Sequence, residues 1–181
     1  MKITGIKTYW LKVPYDKPFE PTWYPGKRET HQHILLVRVM TDEGIEGYGS
    51  GEFPFGLTPT YMTFIQDMIA PWLIGQDPLM IEKLATRLKG DGRLAPRPWI
   101  VENALWDILG KKAGLPTYKV MGGYRDHIPA YAAMCELRSD EERQEDALRL
   151  FDEGFRAVKL RLFMPTIKED IHIVENIRKA V

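Results

Sequence analysis

One cysteine, Cys135, stands in a chain of 181 residues, and a lone thiol excludes an internal disulfide framework and fits a reducing compartment. Neither sign of charge is in excess: 25 Lys and Arg face 25 Asp and Glu. Composition therefore points neither to nucleic acid nor to an anionic membrane surface as a partner. No apolar run is long enough to span a bilayer, and the opening Met1-Lys2-Ile3-Thr4-Gly5-Ile6-Lys7 alternates instead of forming the apolar centre of a signal peptide. Internal repeats and low-complexity tracts are also missing. These absences leave the expectation of a soluble, cytoplasmic protein with no nucleic-acid and no membrane partner. At 44% apolar residues it can bury a core in one or two domains.

Residues 2 to 13 alternate around Ile3, Ile6, Tyr9, Leu11 and Val13, which predicts a strand closed by Pro14. A second strand is expected from Ile34 to Val39. Thr41-Asp42-Glu43-Gly44 then turns the chain back into Ile45-Glu46-Gly47-Tyr48-Gly49, giving a three-stranded antiparallel meander. Between the first two strands, Tyr15 to Gln32 reads as a long loop rich in Pro, Trp and Tyr, and long loops are often functional. An aromatic turn, Phe53 to Pro59, leads into helices over Tyr61 to Leu73, interrupted by Pro71, and over Pro78 to Leu88, with Asp77 as N-cap. A further helix over Pro98 to Ala113 buries Val101, Ala104, Leu105 and Ile108, and Gly114-Leu115-Pro116 stops it.

From Ile128 the pattern changes to strand, helix, strand, helix. Ile128 to Met134 is a short apolar strand. Ser139 and Glu142 form a capping box for a helix ending near Gly154, and a last helix carries Ile167, Ile171, Val174, Ile177 and Val181 along one side. Such alternation predicts parallel strands joined by helical crossovers. The domain boundary is expected between Gly122 and Asp126.

The strand between those helices, Ala157 to Phe163, holds the most informative chemistry. Strand side chains alternate, so Lys159 and Arg161 share one face while Val158, Leu160 and Leu162 share the other. Near-continuous apolar residues are the rule in a buried parallel strand, so two cations need either solvent, reached by snorkelling, or an anion. Lysine can act as a base when its neighbours lower its pKa, whereas arginine stays protonated and serves as an electrostatic clamp. The pair suits the stabilisation of an anion.

Other candidates carry ordinary explanations beside the chemical ones. His31 and His33 could face one metal, but no third ligand of suitable spacing lies nearby. Gly47-Tyr48-Gly49-Ser50-Gly51 lacks the third glycine and the Gly-Lys-Ser/Thr of phosphate loops and sits in a meander, so it is not read as one. Phe19, Trp23, Tyr24, Phe53 and Phe55 are placed as aromatic walls of a substrate pocket, against the alternative that each packs in its own domain. Trp99 and Trp106 are expected in helix core, and Cys135 as a small buried thiol without a sequence-adjacent base.

The meander ending Thr41-Asp42-Glu43-Gly44-Ile45-Glu46-Gly47-Tyr48-Gly49 is followed by Asn103-Ala104-Leu105-Trp106-Asp107-Ile108-Leu109-Gly110-Lys111-Lys112-Ala113-Gly114-Leu115-Pro116, then by Met121-Gly122-Gly123 and Lys159-Leu160-Arg161. In this order and spacing these segments resemble the enolase superfamily, on the branch of mandelate racemase and muconate lactonizing enzyme. The resemblance covers essentially the whole chain. It implies an α+β capping domain, residues 1–125, with the three-stranded antiparallel meander and helices. Residues 126–181 would be the first two β/α units of a modified TIM barrel, incomplete in this chain.

The resemblance also implies removal of a proton α to a carboxylate and an enediolate held on Mg²⁺, in a superfamily that uses Lys or His bases with Mg²⁺. Tyr15 to Gln32 and Phe53 to Thr58 would be its two specificity loops, and Lys159 and Arg161 would fill the two positions of its Lys-x-Lys strand motif. Two departures stand out. Arg161 occupies the position commonly held by a base lysine, and the chain stops before the third barrel strand, where the first metal carboxylate would lie, so no metal ligand is assigned here. The expectation is the N-terminal part of a Mg²⁺-dependent acid-sugar dehydratase. It would act on a small carboxylate, as a homo-oligomer, and the 181-residue chain alone would be inactive. A racemase, epimerase or cycloisomerase of the same superfamily, a non-catalytic binding or assembly module, and an unrelated two-layer α/β domain that binds anions remain as alternatives.

Overall fold

The computed structural model describes residues 1–53, 56–94, 98–162 and 164–181. Three strands open the chain, β1 (Ile3–Phe19), β2 (Glu29–Thr41) and β3 (Glu46–Glu52), in the order β1-β2-β3. β2 and β3 are antiparallel, with Val37 opposite Gly49. Leu35, Val37 and Val39 of β2 are fully buried at alternate positions, as a sheet with one covered face requires. The turn is built as its sequence predicts: Gly44 takes φ 78°, and the Thr41 hydroxyl donates to the Ile45 carbonyl at 2.7 Å.

The first strand does not stop at Pro14. It continues through Pro14 and Pro18 to Phe19, and β2 begins at Glu29, so the expected long loop shrinks to residues 20–28 at the tip of a hairpin. β1 lies at the edge of the sheet, where a proline's missing N–H costs no ladder bond.

Pro71 does not interrupt its helix either. α1 (Thr58–Phe64), a π-helical turn (Ile65–Ile69) and α2 (Ala70–Leu73) follow one another directly. The Ala70 N–H reaches back to the Ile65 carbonyl, and this wide turn puts Pro71 in the first turn of the new stretch, where its missing donor is tolerated. α3 (Ile81–Asp91) starts three residues later than Pro78, because the Asp77 carboxylate accepts from the Leu79 N–H at 3.0 Å and forms a turn ahead of the helix.

α4 (Trp99–Ala113) buries Ile100, Val101, Ala104, Leu105 and Ile108 completely and ends at Gly114 in the left-handed conformation, φ 66°. Trp106 is partly buried against this core, but Trp99 is 42% exposed and lies outside it, contrary to expectation. β3 meets α4 through glycines. A Cβ at Gly47 would run into the Ala104 carbonyl oxygen and one at Gly49 into that of Ile100, so the glycine run exists to let a helix approach a sheet. The edge of β3 is closed by the same helix: Asp107 accepts from the Tyr48 N–H at 2.8 Å and Lys111 donates to the Glu46 carbonyl at 2.7 Å. A short helix, α5 (Thr117–Val120), follows.

Contacts divide the chain into two compact units, Met1–Pro14 with His31–Tyr124, and Tyr15–Thr30 with Arg125–Val181. In the second unit β4 (Ala132–Met134), α6 (Asp140–Asp152), β5 (Val158–Leu160) and α7 (Ile167–Ala180) alternate, and β4 and β5 are parallel, as the sequence pattern requires. The strand expected from Ile128 begins only at Ala132, and Ile128 is 78% exposed. Ser139 with Glu142 and Thr166 with Glu169 both form complete capping boxes. Ala147, Ile173 and Ile177 form the buried core of this unit, flanked by Met134, Val158 and Leu160. Of the stripe expected on α7 only Ile177 is buried, beside Ile173, while Ile167, Ile171, Val174 and Val181 remain exposed. Among the described residues no helix is long and apolar enough to cross a membrane.

Candidate functional site

β5 separates its two faces as the alternation predicts. Val158 and Leu160 pack toward the helices, while Lys159, opposite Ala133 in the parallel register, is exposed with its Nζ 6.0 Å from the centre of the Tyr131 ring. The strand is shorter than expected, ending at Leu160, and Phe163 lies outside the described residues. Arg161 is therefore the first residue beyond the strand end. Its guanidinium carbon lies 4.7 Å from the centre of the Trp23 ring, within cation–π range. Its Nε is shut off from solvent and has no acceptor among the described residues.

Trp23 reaches this position because the hairpin tip is tied down just before it. Pro21 forms an antiparallel bridge to Glu136, and the Leu137 N–H donates to the Glu20 carbonyl at 2.9 Å. The Thr22 N–H and hydroxyl both donate to the Cys135 carbonyl, at 3.0 and 3.2 Å, and Thr22 is fully buried. The tip is closed by Glu20, whose carboxylate accepts from the Gly26 N–H at 2.9 Å and from Arg28 Nε at 3.3 Å. Those donors, the Gly26 amide first and the Arg28 guanidinium second, hold its carboxyl below the ordinary carboxylate range. Gly26 takes φ 83°, which a side chain would resist.

Phe19 sits 5.9 Å from Trp23, centre to centre, and lines with Met134, Cys135, Arg138 and Arg143 a cleft of about 260 Å³. Tyr24 is half exposed beside Lys27. The structure thus brings Phe19, Trp23 and Arg161 together. Phe53 is not a pocket wall: it is 1% exposed, in the core of the first unit with its ring against Tyr61. Phe55 and the neighbouring Pro54 lie outside the described residues. His33 uses its Nδ1 to accept from the Trp10 indole at 3.0 Å. Among the described residues no group of three or more His, Cys, Asp or Glu is arranged to hold a metal ion.

Two residues near the site were not singled out by the sequence reading. Thr22 looks like any loop threonine, and nothing local marks its partner. Arg143 had a visible signal: it sits one turn before Ala147 on the buried stripe of α6, where an apolar side chain is expected, and is 3% exposed. Arg138, by contrast, is a partly exposed arginine whose guanidinium is pushed upward, first by Glu136 and then by the charges of Asp146 and Glu142.

A family model for the mandelate racemase / muconate lactonizing enzyme N-terminal domain matches residues 12–122. The chain belongs to that family. Relatives of the mandelate racemase / muconate lactonizing enzyme family extend the likeness beyond the first domain. The D-galactarolactone cycloisomerase of Agrobacterium fabrum is 31% identical over all of this chain and 49% of its own length. The crystal structure of the N-succinyl Arg/Lys racemase of Bacillus cereus superposes with a TM-score of 0.86 at 28% identity, over 100% of this chain and 49% of that one. An L-talarate/galactarate dehydratase from Salmonella typhimurium, liganded with Mg and L-lyxarohydroxamate, shares the fold at 24% identity and TM-score 0.81, over 99% of this chain and 49% of its own. The chain spans about half the length of the curated relatives it matches.

Proposed function

We propose that this chain provides the capping domain, residues 1–125, and the first two β/α units, residues 126–181, of a cytoplasmic, homo-oligomeric enzyme that removes a proton α to the carboxylate of a small acid. The pairing of Trp23 with Arg161 at the end of β5 carries the reading, because it sets an aromatic face and a fixed cation on one strand end beside Lys159. Abstraction of the α-proton moves negative charge onto the carboxylate oxygens, and preorganised cations there lower the barrier. Lys159 and Arg161 are the cations. With its guanidinium carbon 4.7 Å from the centre of the Trp23 ring, Arg161 is held in place as a charged donor for an oxyanion. Phe19, Trp23 and Tyr24 contact the rest of the substrate.

Mg²⁺ is the cofactor of this proposal by family resemblance. When bound it acts as a Lewis acid on the carboxylate. Its ligands are expected outside residues 1–181, while Lys159 and Arg161 supply positive charge.

The acid is a sugar acid and the reaction a dehydration. An arginine is a poor base, which favours a single-base elimination over the two-base exchange of a racemase. The test is ¹H NMR in D₂O, with the complete enzyme, Mg²⁺ and a panel of sugar acids. Loss of the α-proton together with a 2-keto-3-deoxy product is expected. Exchange giving only the epimer would replace dehydratase by racemase, and no exchange with any acid in the panel would remove the reaction class.

The apolar groove between Phe151, Phe155, Val158, Leu160, Val174 and Ile177 favours a second reading, a binding or assembly module with no turnover. Sedimentation of the 181-residue chain separates the two readings. Stable association through this groove, with no exchange activity in the complete protein, would favour the module.

A further inference from the structure

We propose that Arg143 is a positioning residue for Arg161. This inference rests on the reading of Arg161 as the cation that faces the substrate, but its test does not use turnover. Arg143 projects from the buried stripe of α6 and is 3% exposed. A buried cation is costly unless it is compensated, and compensation comes most often from a carboxylate. Arg143 has none within 4.0 Å among the described residues.

Two main-chain carbonyls compensate it instead. Its Nε donates to the carbonyl of Arg138 at 3.2 Å and its Nη1 to the carbonyl of Arg161 at 3.4 Å. Arg138 is the residue before the Ser139 cap of α6, and Arg161 is the first residue after β5. The helix that connects the two strands thus sends one side chain back to the segments that follow both.

The location decides what these bonds do. Beyond Leu160 the parallel ladder has ended, so nothing in the sheet fixes the peptide plane of Arg161. The Arg143 donor fixes that plane, and with it the direction in which the Arg161 side chain leaves the backbone. That direction is toward Trp23, 4.7 Å from the guanidinium carbon, with Nε enclosed. If packing alone were required at position 143, an apolar side chain would serve at no cost in stability, since hydrophobic replacements of buried ions are often neutral or stabilising. The arginine is what aims the strand end.

The experiment is the side-chain Nε–H spectrum of the ¹⁵N-labelled 181-residue chain. The Arg161 signal is identified by its loss in R161K. Its upfield displacement by the Trp23 ring current is calibrated with W23L. In R143M, shown to be folded by its amide spectrum, the Arg161 signal is expected to lose more than half of that displacement. In R143K, which keeps the charge and reaches one carbonyl, it is expected to fall between R143M and wild type. R143K carries the test where R143M does not fold.

An Arg161 signal that stays at its wild-type position in either folded variant would overturn the proposal and leave Arg143 a packing residue. Loss of the fold in both variants would overturn it as well, because Arg143 would then hold the unit together instead of aiming one side chain. Failure of the proposed reaction is distinguishable: the complete enzyme would show no α-proton exchange while the Arg161 displacement remained sensitive to position 143.

Discussion

Thr22 and Cys135 are joined through a single acceptor: the threonine N–H and hydroxyl both donate to the cysteine carbonyl, at 3.0 and 3.2 Å. A fully buried residue one position ahead of Trp23 is thereby fastened to the end of β4. The tip of the β1–β2 hairpin is positioned by main-chain chemistry, and Trp23 inherits that position. Replacing Thr22 by the isosteric valine keeps the N–H bond and removes the hydroxyl. The expected cost is about 1 kcal/mol, read by chemical denaturation, with faster amide exchange at Thr22 and Trp23. Unchanged exchange would show that the hydroxyl does not hold the tip.

Gly49→Ala is expected to destabilise far more than its size suggests. The added methyl meets the Ile100 carbonyl on α4, which is backbone and cannot step aside. Overpacking of this kind costs roughly 1–3 kcal/mol, and a chain of this length loses about 2–4 °C of midpoint per kcal/mol. Ser50→Ala, on the exposed face of the same strand, should stay within about 0.5 kcal/mol of wild type. Thermal unfolding followed by circular dichroism compares the two.

Acid should loosen the hairpin tip. Because the folded state holds the Glu20 carboxyl below its ordinary value through Gly26 and Arg28, its contribution is complete above the unfolded carboxylate pKa and is lost as pH falls through the lowered one. The Gly26 amide resonance should therefore keep its hydrogen-bonded position down to about pH 4, the ordinary carboxylate range, and move below it. Glu20→Gln should remove that titration. A Gly26 resonance that titrates near neutral pH would assign the transition to another group.

In the complete enzyme, Arg161→Ala and Lys159→Ala are each expected to slow α-proton exchange by roughly 10²–10³, the range for removing one preorganised charge donor. Stability should change little for Lys159→Ala, because Lys159 is exposed. Exchange rates measured by NMR beside denaturation midpoints separate chemistry from folding. An unchanged rate in either variant would take that residue out of the mechanism. The 181-residue chain alone is expected to show no exchange.

Much of this was legible before any coordinates. The Thr41–Gly44 turn, the alternation of β2, the capping box at Ser139 and the Gly114 stop are local signals, and local physics decided them. The errors came where a neighbour overrode the local signal. Pro14 and Pro18 stayed in a strand because β1 is an edge. Pro71 stayed in a helix because a π turn absorbed it. Phe53 was read as a pocket wall and proved to be core, since an aromatic residue carries no mark of which it will be. The Lys159 and Arg161 pair was visible as an anomaly in an apolar strand and Arg143 as a charge on the apolar stripe of α6, whereas Thr22 depends on a carbonyl distant in sequence and leaves no such mark.

The glycine face of β3 has a consequence for how this chain can drift. Gly47 and Gly49 lie against the backbone of α4 and accept no substitution without moving a helix, while a Cβ at Gly51 would meet only the side-chain ends of Ile100 and Trp99; Tyr48 and Ser50 are exposed. Tolerance to mutation along this strand therefore alternates residue by residue. A library spanning residues 46–52 should return survivors that keep glycine at 47 and 49, vary freely at 48 and 50, and admit small side chains at 51.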